Sequence, residues 1–189
     1  MLRHAFKEWA VVCAALAAGR QALILRKGGI AEEGGVFRPD YARFWLLPTY
    51  LHQSAAGLKP AATADLPAIE RSRPPLDIIR LTHYVEVPTA FRAARLEFAL
   101  ELDRWHVWSE QTVRQRFAYR EPGLFVFPAR VYAAAVPVEV ANRPAYDGCK
   151  TWVDLGAEWP TDGTPVLSER DFAAVLEGID RAVRPSAMA

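Results

Sequence analysis

The strongest indication of β-structure is the run LFVFPARVYAAAVPVEV, residues 124–140 of the 189-residue chain. This run is apolar and rich in residues that favour strands, but Pro128 and Pro137 interrupt it. Because proline cannot donate a hydrogen bond to a neighbouring strand, it is found at strand edges and bulges. We therefore predict two strands here, or one long strand with a bulge at Pro128.

Further strands and a few helices are predicted on both sides of this run. Three apolar segments are typical of strands, namely Phe44–Leu47 ahead of Pro48, Ile78–Val87 ahead of Pro88, and Lys150–Leu155. Predicted helices are Glu169–Val183 after the N-cap Ser168, Glu110–Phe117 after the N-cap Ser109, and part of Ala93–Asp103. Strands outnumber helices and do not alternate with them. The predicted fold class is therefore α+β, with a curved, partly barrel-like mixed sheet and two to four helices including a C-terminal one.

Residues 9–27 allow two interpretations. Two apolar runs, at 9–16 and 22–25, flank a segment containing Gly19, which is typical of a β-hairpin. Apolar residues between Phe6 and Ala17 also fit a helical spacing, so a helix at 6–18 is the alternative. We favour the hairpin because it gives the second apolar run a partner strand.

Composition and charge limit the class of protein. The length of 189 residues and the 51% of hydrophobic residues predict a single domain over 1–189. Residues 54–75 are rich in Ala, Pro and Ser, which predicts a surface excursion. Cys13 and Cys149 are too few for a disulfide framework or a four-cysteine zinc site. No apolar stretch reaches the roughly 18 residues of a membrane span, so we expect a cytoplasmic protein without membrane contact. With a net charge of +1, any contact with a polyanion has to be local.

Two polar segments are candidates for a ligand site. At residues 26–29, two cations end an apolar run and precede two glycines, whose backbone amides can approach an anion closely. Residues 49–53 follow the predicted strand Phe44–Leu47 and offer hydrogen-bond donors and acceptors of the kind that orient ligands. The candidate ligand-binding residues are Arg26, Lys27, Gly28, Gly29, Thr49, Tyr50, His52 and Gln53.

A second group of candidates combines aromatic and basic residues. Aromatic side chains interleaved with arginines stack on bases and hold phosphates. On this basis we predict a secondary contact surface at His106, Trp108, Arg114 and Arg116. The alternative interpretation is a core tryptophan accompanied by solvated arginines.

Catalysis is the weaker hypothesis. The sequence contains no G-x-S-x-G, H-E-x-x-H or C-x-x-C signature. A hydrolase acting on a nucleotide or nucleic acid would use His52 as the base, with Glu32 or Glu33 assisting directly or through a metal ion. The spacing of these acidic residues matches no metal-binding motif. The sequence therefore favours a protein without catalysis, cofactor or resident metal.

Seven short segments occur in an order that carries a family resemblance, namely Phe6–Val11, Leu25–Ile30, Leu47–Gln53, His106–Trp108, Arg116–Phe117, Arg130–Tyr132 and Gly148–Val153. In this order they resemble an uncharacterised bacterial family called domain of unknown function 1802, over about residues 5–183. The resemblance implies an ordered core over about residues 5–183, no established activity and no catalytic residues. It does imply a context, because the family is associated with occasional fusion to a restriction-endonuclease-like domain. That context would suit a recognition module in a restriction or defence system.

The leading hypothesis is a non-catalytic module that recognises nucleic acid or a nucleotide. By analogy alone, its fold would be a small nucleic-acid-binding barrel of the PUA-like kind. The alternatives are the hydrolase and a structural or protein-binding domain. The positions of the polar side chains distinguish a ligand site from a set of surface turns. At a ligand site, one pocket should be lined by Lys27, Thr49, Tyr50, His52 and Gln53.

Overall fold

The computed structural model describes residues 1–27, 41–148 and 150–183. Its strands are β1 Leu2–Trp9, β2 Leu23–Arg26, β3 Arg43–Thr49, β4 Ile78–Glu86, β5 Phe91–Ala93, β6 Leu124–Pro128, β7 Arg130–Ala141, β8 Trp152–Trp159 and β9 Gly163–Pro165. Its α-helices are α1 Ala10–Ala17, α2 Pro60–Thr63, α3 Leu66–Arg71, α4 Leu96–Glu101, α5 Glu110–Ala118 and α6 Glu169–Val183. Only α1, α5 and α6 among these have eight residues or more. The predicted α+β class with a C-terminal helix is confirmed.

The strands form two sheets. The larger has the order β8-β1-β3-β4-β7-β9, in which β1 and β3 run parallel and the other described neighbours are antiparallel. The smaller sheet is antiparallel, with the order β2-β6-β5. Neither sheet closes on itself, so the described strands do not form a complete barrel. The analogy with PUA-like barrels stays a prediction.

Several local predictions are confirmed. The run at 124–140 forms two strands, β6 and β7, which are separated at Ala129. At the start of α5 the Ser109 hydroxyl accepts a hydrogen bond from the backbone N–H of Thr112 at 3.3 Å. Ahead of α6 the Ser168 hydroxyl accepts one from the N–H of Asp171 at 3.1 Å. These bonds satisfy amides that a first helical turn leaves without a partner, so both helices begin where the caps predict.

The hairpin predicted for residues 9–27 is wrong. β1 runs through Trp9 and leads directly into α1, while β2 pairs with β6 of the other sheet. Six of the eight residues of α1 are buried. A helix that is apolar on all sides has no amphipathic pattern, so its sequence is easily confused with that of a buried strand. The alternative of a helix at 6–18 is correct only from Ala10 onward.

β3 is buried on both faces of the larger sheet. Phe44 and Leu46 belong to one apolar cluster, and Trp45 and Leu47 belong to another. This alternation follows the two-residue period of a strand. Because apolar core lies on both faces of β3, its path and the position of its end are fixed by packing.

Residues 54–75 carry α2 and α3 and are largely exposed. The same segment contacts the core through Leu58 and Ala62, which are buried. No helix in the described parts of the chain is long and apolar enough to cross a membrane.

Candidate functional site

The parallel pairing of β1 and β3 brings two distant chain segments to one edge of the larger sheet. Glu8 pairs with Pro48 and Trp9 pairs with Thr49, so the two strands end side by side. The end of β2 and the end of α5 border the same space. Together these segments line a cleft of about 620 Å³. That volume lies within the range of small-ligand sites, roughly 300–1,000 Å³.

Positive charge is concentrated in this cleft. Among the described residues that line it, seven are basic and two are acidic, which gives a local net charge of +5 in a chain whose total is +1. A cleft lined mainly by one sign of charge focuses the electrostatic field and raises the local concentration of ligands of opposite charge. The basic residues are Lys7, Arg26, Lys27, Arg73, Arg80, Arg116 and Lys150, and the acidic residues are Glu8 and Asp147.

The structure brings most of the candidate ligand-binding residues together. Five of them line the cleft, namely Arg26, Lys27, Thr49, Tyr50 and His52. Gln53 does not, because its side-chain carbonyl accepts a hydrogen bond from the N–H of Val11 at 2.9 Å, at the start of α1. Gly28 and Gly29 lie outside the described residues. Gln53 therefore helps to begin a helix, and the two polar segments meet through the other five side chains.

Lys27 uses its donors within the protein. Its ammonium group donates to the carbonyl oxygens of Phe117 at 2.8 Å and Gly123 at 3.0 Å, and also to that of Glu121. An ammonium group has three N–H donors, so these carbonyls account for all of them. Partial burial lowers the pKa of Lys27. The predicted direct contact of Lys27 with an anion is therefore replaced by a positioning role, in which Lys27 holds the loop that follows α5.

The inner wall of the cleft is built around Arg26. Its guanidinium lies 4.8 Å from the ring centroid of Phe6 and donates to the Thr151 hydroxyl at 3.3 Å. Another of its nitrogens is 4.0 Å from a carboxylate oxygen of Glu8. Glu8 is buried, and its second oxygen accepts a hydrogen bond from the N–H of Trp9 at 2.9 Å. Thus Arg26 is fixed by packing and by two polar contacts.

Arg116 forms a neighbouring part of the wall. Its guanidinium stacks over the buried ring of Trp108, 3.7 Å from the ring centroid. Burial lowers the pKa of Arg116, the charge of Glu8 raises it, and the nearby charge of Arg26 lowers it. Glu8 was not among the candidate residues. The sequence signal that points to it is a carboxylate at the edge of the apolar run that begins at Trp9, where burial is costly unless a cation lies close.

The mouth of the cleft carries Tyr50 and His52. The guanidinium of Arg73 lies 5.0 Å from the Tyr50 ring centroid, an arrangement that presents a flat, cationic surface. Burial raises the pKa of Tyr50, so its hydroxyl is protonated at neutral pH and able to donate. His52 is exposed and has a φ of 62°, in the left-handed region. The described part of the mouth therefore offers a flat cationic surface for stacking and the hydroxyl donor of Tyr50.

The structure does not bring together the four residues of the predicted secondary surface, His106, Trp108, Arg114 and Arg116. His106 and Trp108 are 3% and 1% exposed, so neither side chain reaches a ligand at the surface. Arg114 is exposed and forms an ion pair with Glu110 one helical turn earlier. Arg116 does line the cleft, so it belongs to the main site. Aromatic residues between arginines also occur in protein cores. Trp108 fits this alternative interpretation, that of a core tryptophan.

Burial of His106 makes the stability of the fold sensitive to acid. Neither ring nitrogen has a hydrogen-bond partner among the described residues, and burial, reinforced by the charge of Lys59, lowers the pKa of His106 to about 4. An unfolded chain has an ordinary histidine pKa near 6.5 and therefore binds more protons between these two values. This contribution to stability is complete above about pH 6.5 and is lost as the pH falls towards 4.

Because of His106, we expect the free energy of unfolding to be about 3 kcal/mol lower at pH 4 than at pH 7. Urea denaturation over a pH series measures this loss. In a His106→Phe variant, which cannot titrate, that part of the pH dependence should disappear. An identical pH dependence in the two proteins would contradict the prediction.

The hydrolase alternative depends partly on residues outside those that the structure describes. Glu32 and Glu33 lie there, so their placement beside His52 stays a prediction. Within residues 1–27, 41–148 and 150–183, no group of three or more histidine, cysteine or acidic side chains is placed to hold a metal ion.

The fold and the cleft define an α+β protein with a basic site at the edge of an open mixed sheet. The chain belongs to the family named domain of unknown function DUF1802, whose model matches residues 5–177. No curated protein matches it.

Among solved structures, the chain is similar to the ASCH protein from Zymomonas mobilis, with 11% identity, a TM-score of 0.46 and 92% of each chain covered. Two mutant proteins of that ASCH protein match at 10% identity. One has a TM-score of 0.42, covering 92% of this chain and 96% of the other, and the second has 0.39, covering 93% and 94%.

Proposed function

We propose that this protein binds nucleic acid or a nucleotide in the basic cleft and does so without catalysing a reaction. The observation that carries the proposal is the excess of basic over acidic residues in the lining, seven against two, in a chain with a total charge of +1. Two of the seven, Arg73 and Arg80, are paired with Glu70 and Glu139 outside the lining, and the excess remains when these pairs are counted. A ligand that matches this cleft is anionic, because phosphate or carboxylate groups pair with arginine forks.

The aromatic side chains of the cleft favour a ligand with flat rings in addition to charge. Trp9, Tyr50 and Tyr119 line it together with the arginines, whereas the ring of Tyr146, which also borders it, is buried. Bases stack on such rings and on guanidinium planes, while basic side chains hold the phosphates. A nucleotide has both parts, whereas a simple dicarboxylate or inorganic phosphate has only the charge.

In this proposal each part of the cleft has a separate role. Arg26 and Arg116 on the inner wall bind phosphate, and Tyr50 and His52 at the mouth contact sugar or base. Family context adds a further proposal, that the module serves recognition in a restriction or defence system beside a nuclease-like partner.

A salt titration tests the proposal. Fluorescence anisotropy of labelled RNA, DNA and nucleotide probes is measured with the folded protein at increasing salt concentration. For single strands, the logarithm of the binding constant should fall linearly with the logarithm of the salt concentration, with a slope of about −0.7 for each phosphate neutralised. An Arg181→Gln variant, altered at an exposed site on α6 away from the cleft, should keep the affinity and the slope. Absence of salt-dependent binding to every probe would remove the proposal.

A further inference from the structure

The mouth of the cleft exposes apolar side chains as well as charge. Leu51, Leu76 and Tyr119 line it and are 63%, 72% and 49% exposed. Large apolar groups in contact with water are unfavourable, and a cluster of them around a site often marks a binding surface. We call these three side chains the apolar rim. A ligand that fits this cleft therefore has apolar surfaces that contact the apolar rim, in addition to charged groups.

Tyr119 is held at the rim by a defined loop. The three carbonyls bonded to Lys27 belong to residues 117, 121 and 123, so one ammonium group ties together the segment on both sides of Tyr119. Within this loop Arg120 adopts a φ of 57°, and its guanidinium lies 5.2 Å from the Tyr119 ring centroid. The loop thus presents an aromatic ring and a cation together at the entrance.

We propose that the cleft takes a single-stranded segment of nucleic acid, with one unpaired base stacked against Tyr119 and the adjoining phosphates directed towards Arg116 and Arg26. This inference rests on the proposed function. A double helix hides the faces of its bases and presents phosphates and groove edges, so it has nothing to cover the apolar rim. Unpaired bases can leave the stack and pack on aromatic side chains.

The size of the cleft supports the same choice. A volume of about 620 Å³ is that of a pocket for one small molecule, which suits extruded nucleotides. The cation on the inner wall of the cleft, Arg26, is half-buried, and a flexible strand reaches it more readily than a rigid duplex does.

The test compares one labelled oligonucleotide with the duplex of the same sequence. We expect the single strand to bind more tightly. Tyr119→Ala should weaken single-strand binding by roughly 5- to 150-fold, the range for loss of one base–aromatic stack. Tyr119→Phe should keep the affinity because the ring remains. The matched control is Val136→Ala, since Val136 is also strongly exposed, at 74%, but lies on β7 outside the cleft.

A second readout reports stacking directly. With 2-aminopurine in the strand, binding should quench its fluorescence in the wild-type and Tyr119→Phe proteins but much less in Tyr119→Ala. The inference is overturned if the duplex binds as tightly as the single strand, or if Tyr119→Ala behaves like Val136→Ala. In either case, salt-dependent binding that is weakened by an Arg26 substitution leaves the proposed function standing. Loss of binding to every probe in the wild-type protein overturns both.

Discussion

Replacing Arg26 with glutamine should weaken binding of a single-stranded oligonucleotide by roughly 10- to 100-fold, the effect of losing a hydrogen bond to a charged group. Arg26 is the cation best fixed in the inner wall, because it packs on Phe6 and donates to Thr151. A preorganised guanidinium loses little conformational entropy when a phosphate binds. Anisotropy titrations over a salt series measure the effect. The slope of the logarithm of the binding constant against that of the salt concentration should become less negative by about 0.7, the value for one phosphate contact.

Two further variants separate the causes of this loss. Arg26→Lys keeps the charge but not the planar fork, so its affinity should lie between those of the wild-type and Arg26→Gln proteins. Arg181→Gln again serves as the control for a general loss of positive charge. If Arg26→Gln binds with unchanged affinity and unchanged slope, Arg26 does not contact the ligand and the assignment of the inner wall is wrong.

Replacing Trp108 with alanine should lower the free energy of unfolding by about 3–5 kcal/mol, the usual cost of removing a large buried aromatic side chain. Trp108 is 1% exposed and packs against Trp9, with ring centroids 4.9 Å apart. It also supports the guanidinium of Arg116. The substitution should therefore both destabilise the fold and release Arg116 from the wall of the cleft.

Denaturant unfolding measures the first effect, and oligonucleotide binding under conditions where the variant remains folded measures the second. Trp108→Phe fills more of the space and keeps a ring beneath Arg116, so both losses should be smaller. Tyr119→Ala is the stability control, because an exposed side chain contributes little to the core. A loss below about 1 kcal/mol in Trp108→Ala would contradict this description of the core.

The sequence predicts elements whose patterns are local. Helices α5 and α6 follow from their serine caps and apolar stripes, and the strands at 124–140 follow from residue type and the two prolines. Helix α1 has no such pattern because most of its residues are buried. The partner of β2 is β6, about a hundred residues further along the chain, and nothing near Leu23–Arg26 indicates that pairing.

The candidate site shows the same division between local and distant information. Arg26, Thr49, Tyr50 and His52 are recognisable from residue type and from their position after apolar runs, and all of them line the cleft. A lysine beside glycines looks the same whether its donors meet a phosphate or carbonyl oxygens, so the role of Lys27 depends on where the loop after α5 lies. Long-range folding likewise brings Glu8, Arg116 and Tyr119 into the cleft.

The position of β1 between β3 and β8 has a consequence for how the protein is made. The ion pair of 2.7 Å between Arg3 and Asp154 joins residues 151 positions apart. Contacts between such distant residues are slow to form, because a long loop must close first. Because residues 2–9 are synthesised before residues 152–159, β1 emerges from the ribosome long before β8. During that interval the edge of β1 that β8 will cover is open to pairing with another chain. Slow translation of the intervening residues prolongs the interval and with it the opportunity for aggregation.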